Sequence, residues 1–379
     1  MSIRQMFPGS IVKPGFNPLA AQTSTTYYDL NTWGYNQSGK LGLGNTTNYS
    51  SPKQVGNTTD GWSSVNAGYR ATVATKTNGT LWSWGYNAFG QLGLGNTTAY
   101  SSPKQVGTLT NWLRISSGYN VVHSIKTDGT LWAWGYGAHG VLGLGNLTDY
   151  SSPKQVGALT NWLSISGGFY HTVATKTDGT LWTWGYNNQG QLGDGTVTQR
   201  NSPVQIGALT SWLQVSAGWY ITSAIKTDGT LWTWGNNAYG SLGIGNTTNY
   251  SSPKQVGSLT NWLYVCAGLY TMFAIKTDGT LWSWGQNTFG RLGLGNTTYY
   301  SSPKQIGALT TWARLGPGGP NYLASYAIKN NGTLWAWGAG NIGALGLGNT
   351  TNYSSPVQVG SLTSWLSISS GQYYAVGLN

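Results

Sequence analysis

The stretch KTDGTLWTWGNNAYGSLGIGNTTNYSSPKQVG, residues 226–257, decides the fold, because the chain repeats it with small changes. The spacing between copies is 50 residues from Trp84 to Trp284. A fixed period of this length is typical of a solenoid, a propeller or an array. A Trp-Gly pair after an alternating run marks each copy, with a truncated one at the start: Trp33, Trp84, Trp134, Trp184, Trp234, Trp284 and Trp337.

Each repeat unit reads as four short strands. Residues 230–234 alternate Leu and Thr with Trp, as a strand does, and residues 224–227 precede them across Asp228-Gly229. An Asp-Gly pair between such runs predicts a tight hairpin with a type I′ turn. Two further strands are predicted around residues 212–215 and 253–256, and no stretch has the 3.6-residue period of a helix.

The two chain ends complete each other. Residues 371–379 match the strand that precedes the hairpin turn, and residues 30–34 match the strand that follows it. Pairing of these two segments would close a ring and leave no free edge. The sequence therefore predicts an all-β, seven-bladed β-propeller of four-stranded blades over residues 30–379. Twenty of the 21 tryptophans hold fixed places in the repeat, which indicates a core between the blades.

The pattern Trp-Gly-x-Asn-x-x-Gly-x-Leu-Gly-x-Gly, at residues 84–95 and 184–195, resembles the repeat of the regulator of chromosome condensation family. The resemblance implies a seven-bladed propeller closed by a shared blade. The family includes nucleotide exchange factors, β-lactamase inhibitors, ligase domains and many bacterial and phage proteins, and this chain is most similar to the last group. A His that family repeats often carry is present only at His171, and no unit is long enough to hold the wedge loop of the exchange factors.

Composition limits the classes of partner. The net charge is +11, and the eight acidic residues are all Asp. The lysines recur at fixed places and are expected to form rings of separated charges, which favour acidic surfaces. The packed basic stripe of a DNA-reading protein is lacking, so nucleic acid is an unlikely partner. The single Cys266 is expected to be a small buried side chain, and neither a membrane span nor a signal peptide is detected.

Residues 1–29 fall outside the repeat. Their prolines and glycines indicate an extended segment, and either a disordered tail or a docking arm would fit. Their apolar content favours an N-terminal docking arm that holds other virion proteins or copies of this chain. The candidate anchor residues are Ile3, Phe7, Ile11, Phe16 and Leu19.

Catalytic chemistry has little basis in the sequence. Ser166, His171 and Asp178 could be written as a nucleophilic set, but Ser and Asp recur at those places in units without a His. No zinc spacing, calcium loop or phosphate cradle is found, so no catalytic, metal or cofactor site is predicted.

Differences between units concentrate in three places: after the Gly that ends the first strand, after Trp-Gly-x-Asn, and before Ser-Ser-Pro. Variable Tyr-rich loops on a constant scaffold are typical of a recognition surface for a glycan or a protein, although neutral drift at exposed turns would look the same. The candidate partner-binding residues are Tyr69, Arg70, Tyr119, Phe169, Tyr170, Trp219, Tyr220, Tyr270 and Tyr373.

These observations predict a non-catalytic recognition module. We expect an exposed virion protein, such as a phage tail or capsid decoration, which binds a host-surface or neighbouring virion component. The alternative is a stand-alone bacterial protein-binding or inhibitor propeller.

Overall fold

The computed structural model describes residues 28–316 and 323–379. Within them, 28 strands form seven four-stranded antiparallel sheets. The predicted all-β, seven-bladed propeller is confirmed. The helical elements of the described residues are four 3-10 turns, at Gln37–Gly39, Ala138–Gly140, Thr288–Gly290 and Asn341–Gly343.

Within each blade the strands are called first to fourth from the centre outward, because the first strands of neighbouring blades contact one another. The labels β1 to β28 follow the order of the chain. The first strands are β3 (Trp62–Ala67), β7 (Trp112–Ser117), β11 (Trp162–Gly167), β15 (Trp212–Ala217), β19 (Trp262–Ala267), β23 (Trp312–Leu315) and β27 (Ser367–Gly371). The second strands are β4 (Ala71–Lys76), β8 (Val121–Lys126), β12 (His171–Lys176), β16 (Ile221–Lys226), β20 (Thr271–Lys276), β24 (Ala324–Lys329) and β28 (Tyr374–Leu378). The third strands are β1 (Leu30–Gly34), β5 (Leu81–Gly85), β9 (Leu131–Gly135), β13 (Leu181–Gly185), β17 (Leu231–Gly235), β21 (Leu281–Gly285) and β25 (Leu334–Gly338). The fourth strands are β2 (Tyr49–Gln54), β6 (Tyr100–Gln105), β10 (Tyr150–Gln155), β14 (Arg200–Gln205), β18 (Tyr250–Gln255), β22 (Tyr300–Gln305) and β26 (Tyr353–Gln358).

The ring closes as predicted. Strand β1 pairs with β28 in register from Leu30 opposite Leu378 to Gly34 opposite Tyr374. The closing sheet has the order β2, β1, β28, β27, so its two outer strands come from the start of the described chain and its two inner strands from the end. The predicted arm, residues 1–29, lies outside the described residues except for Tyr28 and Asp29, and it stays a prediction.

The hairpin turns differ from the prediction. Gly229 has φ +77°, but Asp228 does not have a positive φ, so the turn is not type I′. The Gly229 N–H donates to the Lys226 carbonyl, and the Lys226 N–H donates to the Thr230 carbonyl. The loop therefore has three residues and ends in a left-handed Gly, as in a type I turn with a bulge. The Asp228 carboxylate accepts the N–H and the hydroxyl of Thr230, which holds the turn.

The tryptophan of each Trp-Gly pair joins two blades. Trp284 is fully buried, and its indole N–H donates to the Ser241 carbonyl in the preceding blade at 3.0 Å. The same bond is made by the other six Trp-Gly indoles, with lengths of 2.9 to 3.1 Å. A Cβ on Gly243 would lie 2.5 Å from the Trp284 nitrogen, so the loop that faces the indole needs Gly.

The hairpin lysines lie over tryptophan rings, a contact that the sequence analysis did not predict. Lys176 is buried, and its ammonium group lies 3.5 Å from the ring centroid of Trp182 and 4.8 Å from that of Trp162. Equivalent lysines lie over equivalent Trp pairs in five other blades. Each charge is therefore shared with two aromatic faces, an arrangement that contributes about 0.5–2 kcal/mol. The half-buried first tryptophan of the Leu-Trp-x-Trp run thus has a different role from the fully buried second one.

We expect Trp234→Ala to reduce the free energy of unfolding by about 3–5 kcal/mol, because it leaves a large cavity between two blades. Trp232→Ala is the matched control in the same strand. It removes a half-buried ring and should cost less, about 1–2 kcal/mol. Urea unfolding of both variants measures the difference, and equal losses would contradict this division of roles.

Candidate binding face

All three variable places of the repeat lie at one end of the propeller. In the blade that begins at β3, the start of the second strand pairs with the end of the third, Ala71 opposite Gly85. The end of the third strand pairs with the start of the fourth, Gly85 opposite Tyr100. The loops between the first and second strands and between the third and fourth strands therefore emerge together. The other blades have the same register, and their hairpin turns lie at the opposite end.

The loops between the first and second strands are bonded to one another around the centre. In four of them the backbone N–H of the residue after the Gly donates to a Gly carbonyl of the next blade, and in the closing blade the Gln372 N–H donates to the Tyr69 carbonyl. The four pairs with a Gly carbonyl are Tyr69 to Gly118, Tyr119 to Gly168, Phe169 to Gly218 and Trp219 to Gly268, with lengths of 3.1 to 3.3 Å. These bonds set consecutive loops at a constant spacing.

That spacing stacks the aromatic side chains of consecutive blades. The centroids of Tyr119 and Phe169 are 4.1 Å apart with 27° between the rings, and those of Phe169 and Trp219 are 4.1 Å apart with 12°. Tyr69 continues the stack at 4.6 Å from Tyr119, and Tyr270 lies 6.2 Å from Trp219 and nearly parallel to it. The structure thus brings together five of the nine candidate residues.

A second set of rings surrounds this stack. The Tyr170 ring contacts Phe169, His139 and Tyr186. The Tyr186 ring lies 6.1 Å from Tyr220. The stack and this second set are called the aromatic face here. It comprises Tyr69, Tyr86, Phe89, Tyr119, Tyr136, His139, Phe169, Tyr170, Tyr186, Trp219, Tyr220, Tyr239, Tyr270 and Tyr299.

Sequence reasoning missed the tyrosines that follow Trp-Gly. Tyr86, Tyr136 and Tyr186 are not among the candidate residues, yet their rings belong to the aromatic network. Tyr136 contacts both Tyr119 of the stack and Phe89 of an outer loop. Tyr86 contacts Phe89, and Tyr186 contacts His139 and Tyr170. The signal was available, because this place holds Asn236 and Gln286 in later units. A repeat position that varies between units and is adjacent to other variable positions belongs to the same surface as they do.

Two candidate residues are placed differently from the prediction. Tyr69 is 8% exposed and Phe169 is 4% exposed, because each ring is covered by its neighbours in the stack. They support the face rather than present area to a partner. Tyr119, Tyr170, Trp219, Tyr220 and Tyr270 remain half-buried, so each keeps accessible ring area.

The remaining candidates, Arg70 and Tyr373, lie beside the closing blade. The guanidinium carbon of Arg70 is 5.2 Å from the Tyr69 centroid and 5.5 Å from the Tyr86 centroid. The Tyr373 carbonyl accepts the Tyr35 N–H at 2.9 Å. Arg70 and Tyr373 are half-buried and lie at the same end of the propeller as the aromatic face.

Three phenols of the face, those of Tyr119, Tyr170 and Tyr270, have a raised pKa. Burial raises the pKa of Tyr170 to about 12, and the neighbouring Tyr119 phenol adds to the shift. Burial also raises the pKa of Tyr119 and of Tyr270. At neutral pH the face therefore offers apolar ring area with hydroxyl donors and acceptors, a combination common in protein recognition.

The two carboxylates at this end are already engaged. The Asp149 carboxylate accepts the Gly137 N–H at 2.7 Å. The Asp194 carboxylate forms an ion pair with Arg200 at 2.9 Å. Asp194 is therefore paired with a cation, whereas Asp149 is exposed and belongs to no ion pair among the described residues.

The residues of the hypothetical nucleophilic set are not assembled. His171 is fully buried, and its Nε2 lies 2.9 Å from the Thr222 hydroxyl. The Ser166 hydroxyl accepts the Ala217 N–H, and Asp178 holds the hairpin turn at the opposite end of the blade. Cys266 is buried as predicted, with its sulfur 3.1 Å from the Gly316 carbonyl. Across residues 28–316 and 323–379, no group of His, Cys, Asp or Glu could hold a metal ion.

Comparison with known proteins decides the family. A family model of the RCC1-like domain matches residues 29–324. The chain belongs to the RCC1-like family. A model of the regulator of chromosome condensation (RCC1) repeat matches residues 331–378 as well. The resemblance inferred from the repeat pattern is confirmed at family level, while its phage or bacterial type stays a prediction.

Individual relatives match this RCC1-like chain over short segments or at low identity. The ultraviolet-B receptor UVR8 of Arabidopsis thaliana is 36% identical over 78 residues, which are 20% of this chain and 18% of the receptor. The human protein RCC2 is 38% identical over 84 residues, which are 22% of this chain and 16% of RCC2. Each match thus spans less than a fifth of the relative's length. The structure of Prp20p from Saccharomyces cerevisiae superposes with a TM-score of 0.84 at 21% identity, over 94% of this chain and 92% of Prp20p, which shows the shared fold.

The described part of the RCC1-like chain contains no helix that is long and apolar enough to cross a membrane.

Two buried histidines predict sensitivity to acid. Burial lowers the pKa of His123 to about 4 and that of His171 to about 3, against an ordinary value near 6.5. Because the unfolded chain binds the proton more readily, stability should fall as the pH drops below about 6.5, by roughly 1.4 kcal/mol per pH unit for each His. The loss should end near the folded-state pKa of each residue.

His123→Val and His171→Ala, which copy the residues at Val73 and Ala71 in another unit, should remove this loss. We expect the double variant to unfold at lower pH than the parent in an acid titration followed by tryptophan fluorescence. An unchanged acid midpoint would show that other groups control acid unfolding.

Proposed function

We propose that this RCC1-like propeller is a non-catalytic protein-binding module, and that its partner docks on the aromatic face. The observation that carries the proposal is the convergence of every variable place of the repeat on one end of the propeller, where the side chains form a continuous aromatic network. The hairpin turn, the third strand and the Gly-x-Leu-Gly loop of each unit are nearly constant in sequence. Variable exposed loops that cluster at one end of a rigid scaffold favour recognition over structural drift.

The composition of the face supports a protein partner. Tyr and Trp supply large contact areas at low cost in side-chain entropy, and they are enriched at the centres of protein interfaces. Trp219, Tyr220 and Tyr170 are half-buried and held by neighbouring rings, so little further ordering is needed when a partner binds.

The comparisons support the same function and lend no support to the predicted virion role. Prp20p, which shares the fold, has binding properties to Gsp1p and histones, and yeast Prp20 has also been crystallised with Kap60. A protein-binding propeller, the alternative reading of the sequence, therefore fits better than a phage tail or capsid decoration. Attachment to a virion through residues 1–29 remains a prediction from sequence.

The test compares two triple variants, one at each end of the propeller. Trp219→Ala, Tyr220→Ala and Tyr170→Ala remove rings from the aromatic face. Leu159→Ser, Leu209→Ser and Leu259→Ser remove exposed apolar area at the opposite end, where these leucines are 45 to 51% exposed. Immobilised parent and variant proteins are incubated with an extract of cells that express the gene, and recovered proteins are quantified by mass spectrometry.

We expect a partner that the parent and the leucine variant retain and that the aromatic variant loses at least about tenfold, because truncating central aromatic residues commonly costs 2 kcal/mol or more. Direct binding of the purified partner then confirms the loss. Equal recovery by all three proteins would overturn the proposal, as would loss of the partner in the leucine variant alone.

A further inference from the structure

Two cations lie side by side where the aromatic face meets the closing blade. Lys40 follows the turn Gln37–Gly39, and Arg70 lies in the loop between β3 and β4. Other units place mostly neutral side chains at these positions. The equivalents of Lys40 are Gln91, Val141, Gln191, Ser241, Arg291 and Ala344, and those of Arg70 are Asn120, Tyr170, Tyr220, Tyr270, Leu323 and Tyr373. This corner alone has a cation at both positions.

Gln372 connects the two cations. The Arg70 Nε donates to the Gln372 side-chain oxygen at 3.1 Å, and the Lys40 Nζ donates to the Gln372 backbone carbonyl at 2.8 Å. The Lys40 ammonium also lies 4.6 Å from the Tyr35 centroid and 5.0 Å from the Tyr374 centroid. Lys40 is 1% exposed, whereas Arg70 is half-buried, so Arg70 is the cation that a ligand can reach.

No carboxylate of the described residues neutralises this pair. Their ion pairs join Lys76 to Asp60 and Arg200 to Asp194. Four other acids hold hairpin turns at the opposite end, namely Asp128, Asp178, Asp228 and Asp278. Burial, with the neighbouring Arg70 charge, lowers the pKa of Lys40 to about 7, a direction expected of a buried cation without a counter-ion.

We propose that Arg70, Lys40 and Gln372 form a subsite that binds an acidic side chain of the partner docked on the aromatic face. This inference rests on the proposed function and names the chemistry of its partner, an acidic peptide segment. The Arg70 Nε is held by Gln372, which leaves its two terminal nitrogens to donate to a carboxylate. The buried Lys40 contributes indirectly. It holds Gln372 in place through the bond to its backbone carbonyl, and its charge adds a positive electrostatic potential at this poorly solvated site.

The probe is a fluorescein-labelled oligoglutamate peptide, and a labelled oligolysine peptide is the control of opposite charge. Arg70→Asn and Lys40→Gln copy the residues at Asn120 and Gln91, which the same fold already accommodates. Lys254→Ala is the charge-matched control, because this exposed lysine lies on the outer strand β18. Circular dichroism and urea unfolding check that each variant is folded.

We expect the parent to bind oligoglutamate and not oligolysine in fluorescence anisotropy. Arg70→Asn should weaken the affinity about tenfold or more, since a hydrogen bond to a charged group is lost. Lys40→Gln should weaken it several-fold, and Lys254→Ala should change it less than about twofold, as for a screened surface charge.

The pH dependence provides a second measurement. The parent's affinity should fall as the pH rises through about 7, because Lys40 loses its proton, whereas the Lys40→Gln variant should lack this change. The charged or titratable groups that face Lys40 are Arg70 and the phenols of Tyr35 and Tyr374. Calorimetry in two buffers with different ionisation enthalpies should detect proton uptake by the parent on binding.

Several results would overturn the inference. Equal weakening by Lys254→Ala would show that only net charge attracts the peptide. Preference for a single-stranded oligonucleotide over oligoglutamate would identify a nucleic-acid site instead. Absence of oligoglutamate binding would reject the acidic subsite, and the proposed function would still stand if the aromatic triple variant loses its partner.

Discussion

The hydrogen bond from each Trp-Gly indole to a carbonyl of the preceding blade is the interaction on which the ring depends. It repeats seven times, once at every blade boundary, and always in a fully buried position. The bond itself contributes only about 1 kcal/mol, but burial of the indole adds roughly 1.5–3 kcal/mol at each boundary. It also explains why two distant motifs recur together, since the glycine of the Gly-x-Leu-Gly loop must leave room for the tryptophan of the next blade.

A boundary of this kind makes the aromatic face possible. Because neighbouring blades are held at a constant offset, the loops between their first and second strands reach the centre at a constant spacing and bond to one another. Aromatic rings on successive loops then stack on one another, although the two rings of each stacked pair belong to different blades. Phe169 and Trp219 are 50 residues apart in sequence, yet their rings are nearly parallel at 4.1 Å.

The same reasoning explains what the sequence could predict. Period, alternation and matching chain ends are local signals, so the number of blades, the strand order and the ring closure were all predictable. The type of hairpin turn was not, because Asp228-Gly229 is compatible with a two-residue or a three-residue loop, and the hydrogen bonds that Thr230 donates to the Asp228 carboxylate stabilise the three-residue loop. The burial of Tyr69 and the position of Lys176 over two indoles arise from contacts across loops or strands, which a single repeat does not reveal.

The distribution of charge gives the two ends of the propeller different properties. At the hairpin end, lysines lie over tryptophan pairs and each Asp of the turns holds a Thr, so a positive and a negative group lie close together in the four blades whose turns contain Asp. At the aromatic end, the carboxylates of Asp149 and Asp194 are engaged locally. The positive charge of Arg70 and Lys40 is therefore not offset by a neighbouring acid. In a chain without Glu, the sign of the field over the binding face depends on where a few charges are left unpaired, and net charge alone does not determine it.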